Sequence, residues 1–134
     1  MTQTDGRAAA GEVDLTGRVA LITGAAGGLG RRFAHTLAKR GAAVAVADVR
    51  TEQLKSVQQD LVCAGARSVA TFLDLTATDS FADVVTRIEA DLGPVDILIN
   101  NAGINDANRP QRLTLDTISR VIATNLEGPF ALTC

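Results

Sequence analysis

Residues 21–30 of the chain read LITGAAGGLG, and the rest of the sequence is arranged around them. The apolar run at 19–22 is typical of a buried strand, and a helical pattern begins directly after the glycines. Glycine lets a backbone come close to a ligand, and the N–H groups and dipole of a helix start attract negative charge. The stretch therefore predicts a strand, loop and helix that hold a phosphate, with a tight turn that binds nothing as the alternative.

The spacing of the glycines excludes two well-known types of phosphate-binding loop. Gly24, Gly28 and Gly30 follow the pattern G-x-x-x-G-x-G, with Thr23 before them. This is neither a P-loop, because no Gly-Lys-Ser/Thr follows, nor the G-x-G-x-x-G pattern. Gly27 beside Gly28 argues against a plain turn, since each glycine costs backbone entropy that such a turn does not need twice.

Apolar runs alternate with helical patterns along the whole chain. Strands are predicted at 19–22, 44–47, 69–73 and 95–99, with helices between them and a further helix after Thr114. This alternation predicts an α/β fold of the Rossmann type, a doubly wound parallel sheet with helices on both faces. The doubly wound order is 3-2-1-4, so strands one and four would flank the ligand-binding switch point. We expect a disordered tail at 1–13 and the N-terminal part of a single, incomplete dinucleotide-binding domain at 14–134.

The spacing of apolar residues predicts which helix faces are buried. Leu29, Phe33 and Leu37 recur four apart after the glycine loop, which predicts that they face the sheet. The last helix carries a longer apolar stripe that is also predicted to face inward: Leu115, Ile118, Val121, Ile122 and Leu126.

Asn125 lies on that apolar stripe, and the helix is predicted to break just after it, at Gly128 and Pro129. It follows Val121 by four residues and Ile122 by three, so its side chain is predicted to point inward. A buried amide without a partner costs on the order of 1–3 kcal/mol. Backbone, water or a catalytic network must therefore satisfy it.

Composition excludes several classes of protein. The net charge is −2, and no basic stripe or charge block predicts a nucleic-acid or membrane-surface partner. The longest apolar runs have the length of strands, so no membrane-spanning helix is expected. Cys63 and Cys134 show no metal-ligand spacing, which predicts no metal site and two reduced thiols in the cytoplasm. The sequence contains no tyrosine.

Asp48 is the candidate for recognition of a ribose. It lies 24 positions after Gly24, at the end of the predicted second strand. A carboxylate there accepts hydrogen bonds from the adenosine ribose and repels a 2′-phosphate, which favours NAD over NADP. Arg50 leaves NADP open, and an Asp that is merely solvated is the other alternative.

Together these motifs resemble those of the short-chain dehydrogenase/reductase family. The resemblance rests on Thr23-Gly24-x-x-x-Gly28-x-Gly30, Asp48, Asp74-Leu75 and Asn100-Asn101-Ala102-Gly103, and it runs from about Leu15 to Cys134. The candidate cofactor-binding residues are Thr23, Gly24, Gly27, Gly28, Leu29, Gly30, Asp48, Asp74, Leu75, Asn100, Ala102, Gly103 and Ile104.

The resemblance implies how the adenosine half of the cofactor would be held. The three glycines of the pattern would pass the pyrophosphate, and Asp48 would hold the ribose. Asp74 would bind the adenine amino group, and Leu75 would offer its backbone N–H to the ring. For Asp74, a cap that leads into the third helix is the alternative.

It also implies roles for the segment after strand four. Asn100, Ala102 and Gly103 would line the cofactor between adenosine and nicotinamide, and Ile104 would pack near the nicotinamide. Asn101 would tie strand four to strand one, which is a structural task.

For catalysis, the resemblance places Asn125 in an Asn-Ser-Tyr-Lys tetrad, where its carbonyl would hold a water of the proton relay. The expected Ser and Tyr-x-x-x-Lys would lie beyond Cys134, so the chain is expected to be a fragment of a homo-oligomeric parent. The function implied is hydride transfer between NAD(P) and a small alcohol or ketone. The alternatives are a non-catalytic NAD-binding module and an inactive fragment.

Overall fold

The computed structural model describes residues 11–105, 107 and 110–134. Most of the predicted tail, residues 1–10, lies outside the described residues. The strands are β1 (Val19–Thr23), β2 (Ala43–Asp48), β3 (Ser68–Phe72) and β4 (Ile97–Ile99). The α-helices are α1 (Gly28–Lys39), α2 (Thr51–Cys63), α3 (Phe81–Leu92), α4 (Leu115–Ile122) and α5 (Gly128–Thr133). Short 3₁₀ turns at Thr78–Ser80 and Pro110–Arg112 precede α3 and α4, and a π-helical turn at Ala123–Glu127 joins α4 to α5.

The four strands form one parallel sheet in the order β3-β2-β1-β4. Leu21 shows the register, since it pairs with Ala45 on one side and with Leu98 on the other. The predicted fold class and strand order are therefore confirmed. The carboxyl ends of β1 and β4 lie side by side, as a switch point between them requires.

Two apolar layers cover the two faces of the sheet. On one face Leu21 belongs to the cluster that contains Ile88 of α3. On the other face Ile22 belongs to the cluster that contains Leu54 and Leu61 of α2. Every residue of β1 and β2 is buried, which is why both strands are nearly continuous apolar runs.

The predicted inner stripe of α1 is wrong at its first position. Leu29 is 62% exposed, whereas Phe33 and Leu37 are partly buried against the core. The buried positions of the helix are Gly30 and Ala34. Gly30 packs directly on the loop after β1, and the next residue back along a helix points about 100° away. Leu29 is thereby turned out of the core.

The predicted inner stripe of α4 is also wrong, because most of it is exposed. The exposed members are Leu115, Ile118, Ile122 and Leu126, and Val121 is half-buried. Helical periodicity identified an apolar face correctly, but β4 is the last strand of the sheet on this side. Within the described ranges, no strand or helix packs over these side chains.

The helix does not break at Gly128 and Pro129, contrary to prediction. The π-helical turn runs directly into α5, and Pro129 lies in the first turn of that helix. Gly128 serves close packing instead. A Cβ at this position would lie 2.3 Å from the carbonyl oxygen of Leu75.

Candidate functional site

A cleft of about 820 Å³ opens at the carboxyl edge of the sheet, in the size range of ligand pockets. All the predicted cofactor-binding residues except Asn100 line it. Its walls consist of Thr23, Gly24, Gly27, Gly28, Leu29, Gly30, Asp48, Val49, Arg50, Leu73, Asp74, Leu75, Thr76, Asn101, Ala102, Gly103, Ile104, Asn105, Arg120 and Thr124.

The surroundings of the glycines differ from one position of the loop to the next. Gly24 has φ +65°, and a Cβ there would lie 2.7 Å from the Cα of Ala102. At Gly30 a Cβ would lie 2.4 Å from the carbonyl oxygen of Gly24. At Gly28, by contrast, a Cβ would meet no atom within 4 Å. Packing therefore requires glycine at positions 24 and 30, whereas position 28 borders open space at the start of α1.

Thr23 and Asn101 fasten the end of β1 to the segment after β4. The Thr23 hydroxyl accepts the backbone N–H groups of Asn101 and Ala102, both at 3.1 Å. The Asn101 amide donates back to the carbonyls of Thr23 at 3.1 Å and Gly24 at 3.2 Å. The predicted structural task of Asn101 is confirmed, and these bonds fix the distance between the two walls of the cleft.

Asp48 is buried, being only 6% exposed, and both of its carboxylate oxygens are occupied. Oδ1 accepts the backbone N–H and Nε of Arg50, and Oδ2 accepts Nη2 of Arg50 and the N–H of Ala26. Burial raises the pKa of this carboxyl, but the hydrogen bonds and charge of Arg50 and the Ala26 bond outweigh it, so the pKa lies below the usual value. In turn, the hydrogen bond to Asp48 and the charge of its carboxylate raise the pKa of Arg50.

This lowered pKa makes a prediction for acid stability. Above the unfolded-state pKa of about 4, the bonded carboxylate of Asp48 should stabilise the fold, and the contribution should be modest because Arg50 is half exposed. The contribution is lost as pH falls through the folded-state pKa. Urea unfolding of wild type and Asp48→Asn should differ at pH 7, and the difference should shrink below about pH 4. A gap that persists in acid would contradict this assignment.

The segment after β3 closes one side of the cleft. The carboxylate of Asp74 accepts the N–H of Thr76 at 2.9 Å and its hydroxyl at 2.8 Å. It therefore stabilises a turn that leads toward α3, and Leu75 beside it is buried. Asn100 points elsewhere, since its amide donates to the hydroxyl of Thr133 at 3.0 Å.

Asn125 lies in the π-helical turn, and its side-chain amide makes two hydrogen bonds to the backbone of Ile104. Oδ1 accepts the Ile104 N–H at 2.8 Å, and Nδ2 donates to the Ile104 carbonyl at 2.7 Å. Backbone is thus the partner among the three possibilities. The prediction that Asn125 points into an apolar interior is wrong, because the residue is exposed beside a smaller hollow of about 310 Å³.

Replacing Asn125 with Asp should loosen the segment after β4. The substitution keeps one acceptor for the Ile104 N–H but sets a carboxylate oxygen against the Ile104 carbonyl. Hydrogen exchange at the Ile104 amide should become about tenfold faster or more, as the lost bond lowers the local opening energy. Glu127→Gln, the reverse acid–amide change at an exposed position of the same turn, should leave that exchange unaltered. Equal effects of both changes would argue against the Asn125 contact.

Several wall residues were not among the predicted site residues. Thr76 follows Asp74 directly, and Val49 and Asn105 adjoin predicted positions. Arg120 and Thr124 come from α4 and the turn after it, four residues apart on one helical face. Thr124 adjoins Asn125 in the sequence, but no spacing pattern in the sequence pointed to either Arg120 or Thr124.

Two features are absent from the part of the chain that the structure describes. No group of three or more His, Cys, Asp or Glu side chains is arranged to hold a metal ion. No helix in this part of the chain is long and apolar enough to span a bilayer.

Comparison with known proteins gives consistent matches. An uncharacterized oxidoreductase from Bacillus subtilis is 38% identical over 113 residues, which cover 84% of this chain and 44% of the relative. The 3-oxoacyl-acyl-carrier-protein reductase FabG of Escherichia coli is 38% identical over 120 residues, covering 90% of this chain and 48% of the relative. The chain therefore spans about half the length of these curated relatives.

Among solved structures, a short chain dehydrogenase from Burkholderia cenocepacia in complex with NADP superimposes with a TM-score of 0.85 at 32% identity. The match covers 90% of this chain and 50% of that one. The sequence model of the family described as short chain dehydrogenase matches residues 18–134, which is nearly the whole chain. The chain therefore belongs to the short-chain dehydrogenase family.

Proposed function

We propose that the cleft binds a nicotinamide adenine dinucleotide and that the chain forms the cofactor-binding part of an oxidoreductase. The observation that carries the proposal is the convergence of the glycine loop, Asp48 and the segment after β4 at one edge of the sheet. The open space at Gly28 lies at the start of α1, where the helix dipole favours a pyrophosphate. The NADP complex of the Burkholderia cenocepacia neighbour supports this class of ligand.

Within that class, we expect NAD to bind more tightly than NADP. The buried carboxylate of Asp48 lies at the end of β2, where an adenosine ribose would donate to it and a 2′-phosphate would be repelled. Asp74 and Leu75 would border the adenine, and Ile104 would border the nicotinamide.

The reaction proposed for the whole protein is hydride transfer between nicotinamide and an alcohol or ketone. The bound dinucleotide would supply the hydride chemistry. This chain's residues would orient the cofactor, with Asn125 fixing the backbone of Ile104 beside the nicotinamide end. The names of both curated relatives, an oxidoreductase and a reductase, support this class of reaction.

The sequence contains no tyrosine, and this favours a second candidate for the chain by itself, a dinucleotide-binding module without catalysis. Positioned acid–base groups contribute about 10²–10⁴-fold to such reactions. We therefore expect residues 1–134 to bind cofactor but to produce no measurable NADH from NAD⁺ and simple alcohols. The proposal includes a homo-oligomeric parent. It also includes a cytoplasmic location, which the two free cysteines support.

Titration of the purified chain with NADH, followed by nucleotide fluorescence, tests the binding proposal. We expect saturable binding that weakens at least tenfold in Asp48→Ala, because charge-assisted bonds to the ribose are lost. Asp60→Ala removes a carboxylate that pairs with Arg31 on the exposed surface, and it should leave NADH binding unchanged. A chain that is folded by circular dichroism and yet binds no NADH would reject the proposal.

A further inference from the structure

The Arg50 side chain occupies the position that the proposed cofactor needs. Its Nε and Nη2 each lie 3.2 Å from one carboxylate oxygen of Asp48. With the two backbone N–H donors, every oxygen of the carboxylate already accepts two hydrogen bonds. A ribose hydroxyl can therefore bond to Asp48 only if the guanidinium leaves.

Gly27 makes room for this guanidinium. Its φ is −83°, so its conformation does not require glycine. A Cβ at Gly27 would lie 3.2 Å from Nη2 of Arg50, closer than to any other atom outside its own chain neighbours. Because position 27 has no side chain, the Arg50 guanidinium has space between the glycine loop and Asp48.

The guanidinium lies at the start of α1, where the helix dipole is unfavourable for a positive charge. Gly27 is the N-cap of α1, and a helix start favours anions over cations. The Arg50 side chain is 52% exposed, whereas the Asp48 side chain is only 5% exposed. The arginine is therefore the partner that can move, and an arriving phosphate would both attract it and replace it at the helix start.

We propose that Arg50 is a displaceable occupant of the ribose position and that it narrows the preference of the site for NAD over NADP. When a dinucleotide binds, the Asp48 carboxylate exchanges the guanidinium for ribose hydroxyls. The freed guanidinium, still anchored two residues from Asp48, then bonds to a 2′-phosphate when the ligand carries one. This inference rests on the proposed dinucleotide binding.

Binding of matched ligands to wild type and Arg50→Ala tests the role. NADH and NADPH differ by the 2′-phosphate, as do 5′-AMP and adenosine 2′,5′-bisphosphate used as competitors of NADH. In Arg50→Ala, NADPH and the bisphosphate should bind about tenfold more weakly, the effect of one charge-assisted bond to phosphate. NADH and 5′-AMP should bind equally well or up to about threefold more tightly, because the half-exposed guanidinium of Arg50 no longer competes for Asp48.

Two further variants keep the test decisive. Arg50→Lys retains a cation without the two-pronged contact, so it should keep most of the affinity for the 2′-phosphate ligands even if Arg50→Ala is less stable. Arg31→Ala removes an arginine that pairs with Asp60 outside the cleft, and it should change no affinity. Equal changes for both members of a ligand pair in Arg50→Ala would overturn the role of Arg50 while leaving dinucleotide binding intact. If the folded wild type binds neither NADH nor NADPH, both proposals fail together.

Discussion

Replacing Gly30 with alanine is expected to lower the free energy of unfolding by about 3 kcal/mol or more and to abolish nucleotide binding. A Cβ at this position would lie 2.4 Å from the carbonyl oxygen of Gly24 and 2.9 Å from the Cα of Ala25. It would also lie 2.6 Å from the Asn101 amide nitrogen. Two of these neighbours are backbone atoms, so the clash cannot be relieved by turning a side chain. The loop would have to move away from the helix, which would disrupt the floor of the cleft.

Gly28→Ala is the matched control, two residues earlier in the same helix. The added methyl group would meet no protein atom within 4 Å, and alanine favours a helix by up to about 1 kcal/mol over glycine. Its stability in urea should therefore equal or exceed that of wild type. NADH affinity should nevertheless fall, because the methyl group would enter the space assigned to the pyrophosphate. Undiminished binding in Gly28→Ala would contradict that assignment, and a fully stable Gly30→Ala would contradict the packing.

The course of the sheet could be predicted because burial leaves a simple pattern in the sequence. β1 and β2 lie in the middle of a parallel sheet with helices on both faces, so nearly all their side chains are apolar. Glycine at Gly24, and at Gly41 and Gly65 after two helices, marks positive φ where the chain must turn. These signals are local, and they were sufficient for the order of the elements.

The buried faces of the helices could not be predicted as well, because periodicity shows that a face is apolar but not what covers it. Leu29 has the spacing of a core residue, yet the contact with the loop is made by Gly30, which has no side chain. Leu126 also has core spacing but lies on a helix beyond the last strand of the described sheet. Gly128, which suggested a helix break, is explained only by the backbone of Leu75 passing against it.

In the candidate site too, positions along the chain could be predicted from the sequence, but contacts between distant segments could not. Asp48 was identified because its position at a strand end follows from the chain itself. The occupation of its carboxylate by Arg50 depends on the rotamer of a long, half-exposed side chain, and the sequence does not specify that rotamer. Likewise, the partner of Asn125 is the backbone of Ile104, whose approach is set by the fold rather than by any residue type.

Thr23→Val is expected to have the second large effect, lowering the free energy of unfolding by about 2–3 kcal/mol. Thr23 is 1% exposed, and its hydroxyl accepts the N–H groups of Asn101 and Ala102. Valine has nearly the same shape, so the core beside it stays filled. The Asn101 N–H retains a bond to the Ile99 carbonyl at 3.0 Å, but the Ala102 N–H loses the hydroxyl acceptor. This donor is partly buried, and leaving it unpaired costs more than a typical hydrogen bond contributes.

Thr23→Ser separates the hydroxyl from the methyl group, since serine keeps the acceptor and removes only one carbon. Its stability in urea should lie within about 1.5 kcal/mol of wild type, the scale of a small loss of buried volume. Hydrogen exchange at Ala102 should accelerate in the valine variant and change little in the serine variant. NADH binding should follow the same order, because the bonds of Thr23 hold the segment after β4 against the glycine loop. If valine proves as stable as threonine, the Thr23 hydroxyl is not what holds the two walls of the cleft together, and the Asn101 amide bonds to the carbonyls of Thr23 and Gly24 would have to do so. Asn101→Ala should then be the more destabilising change.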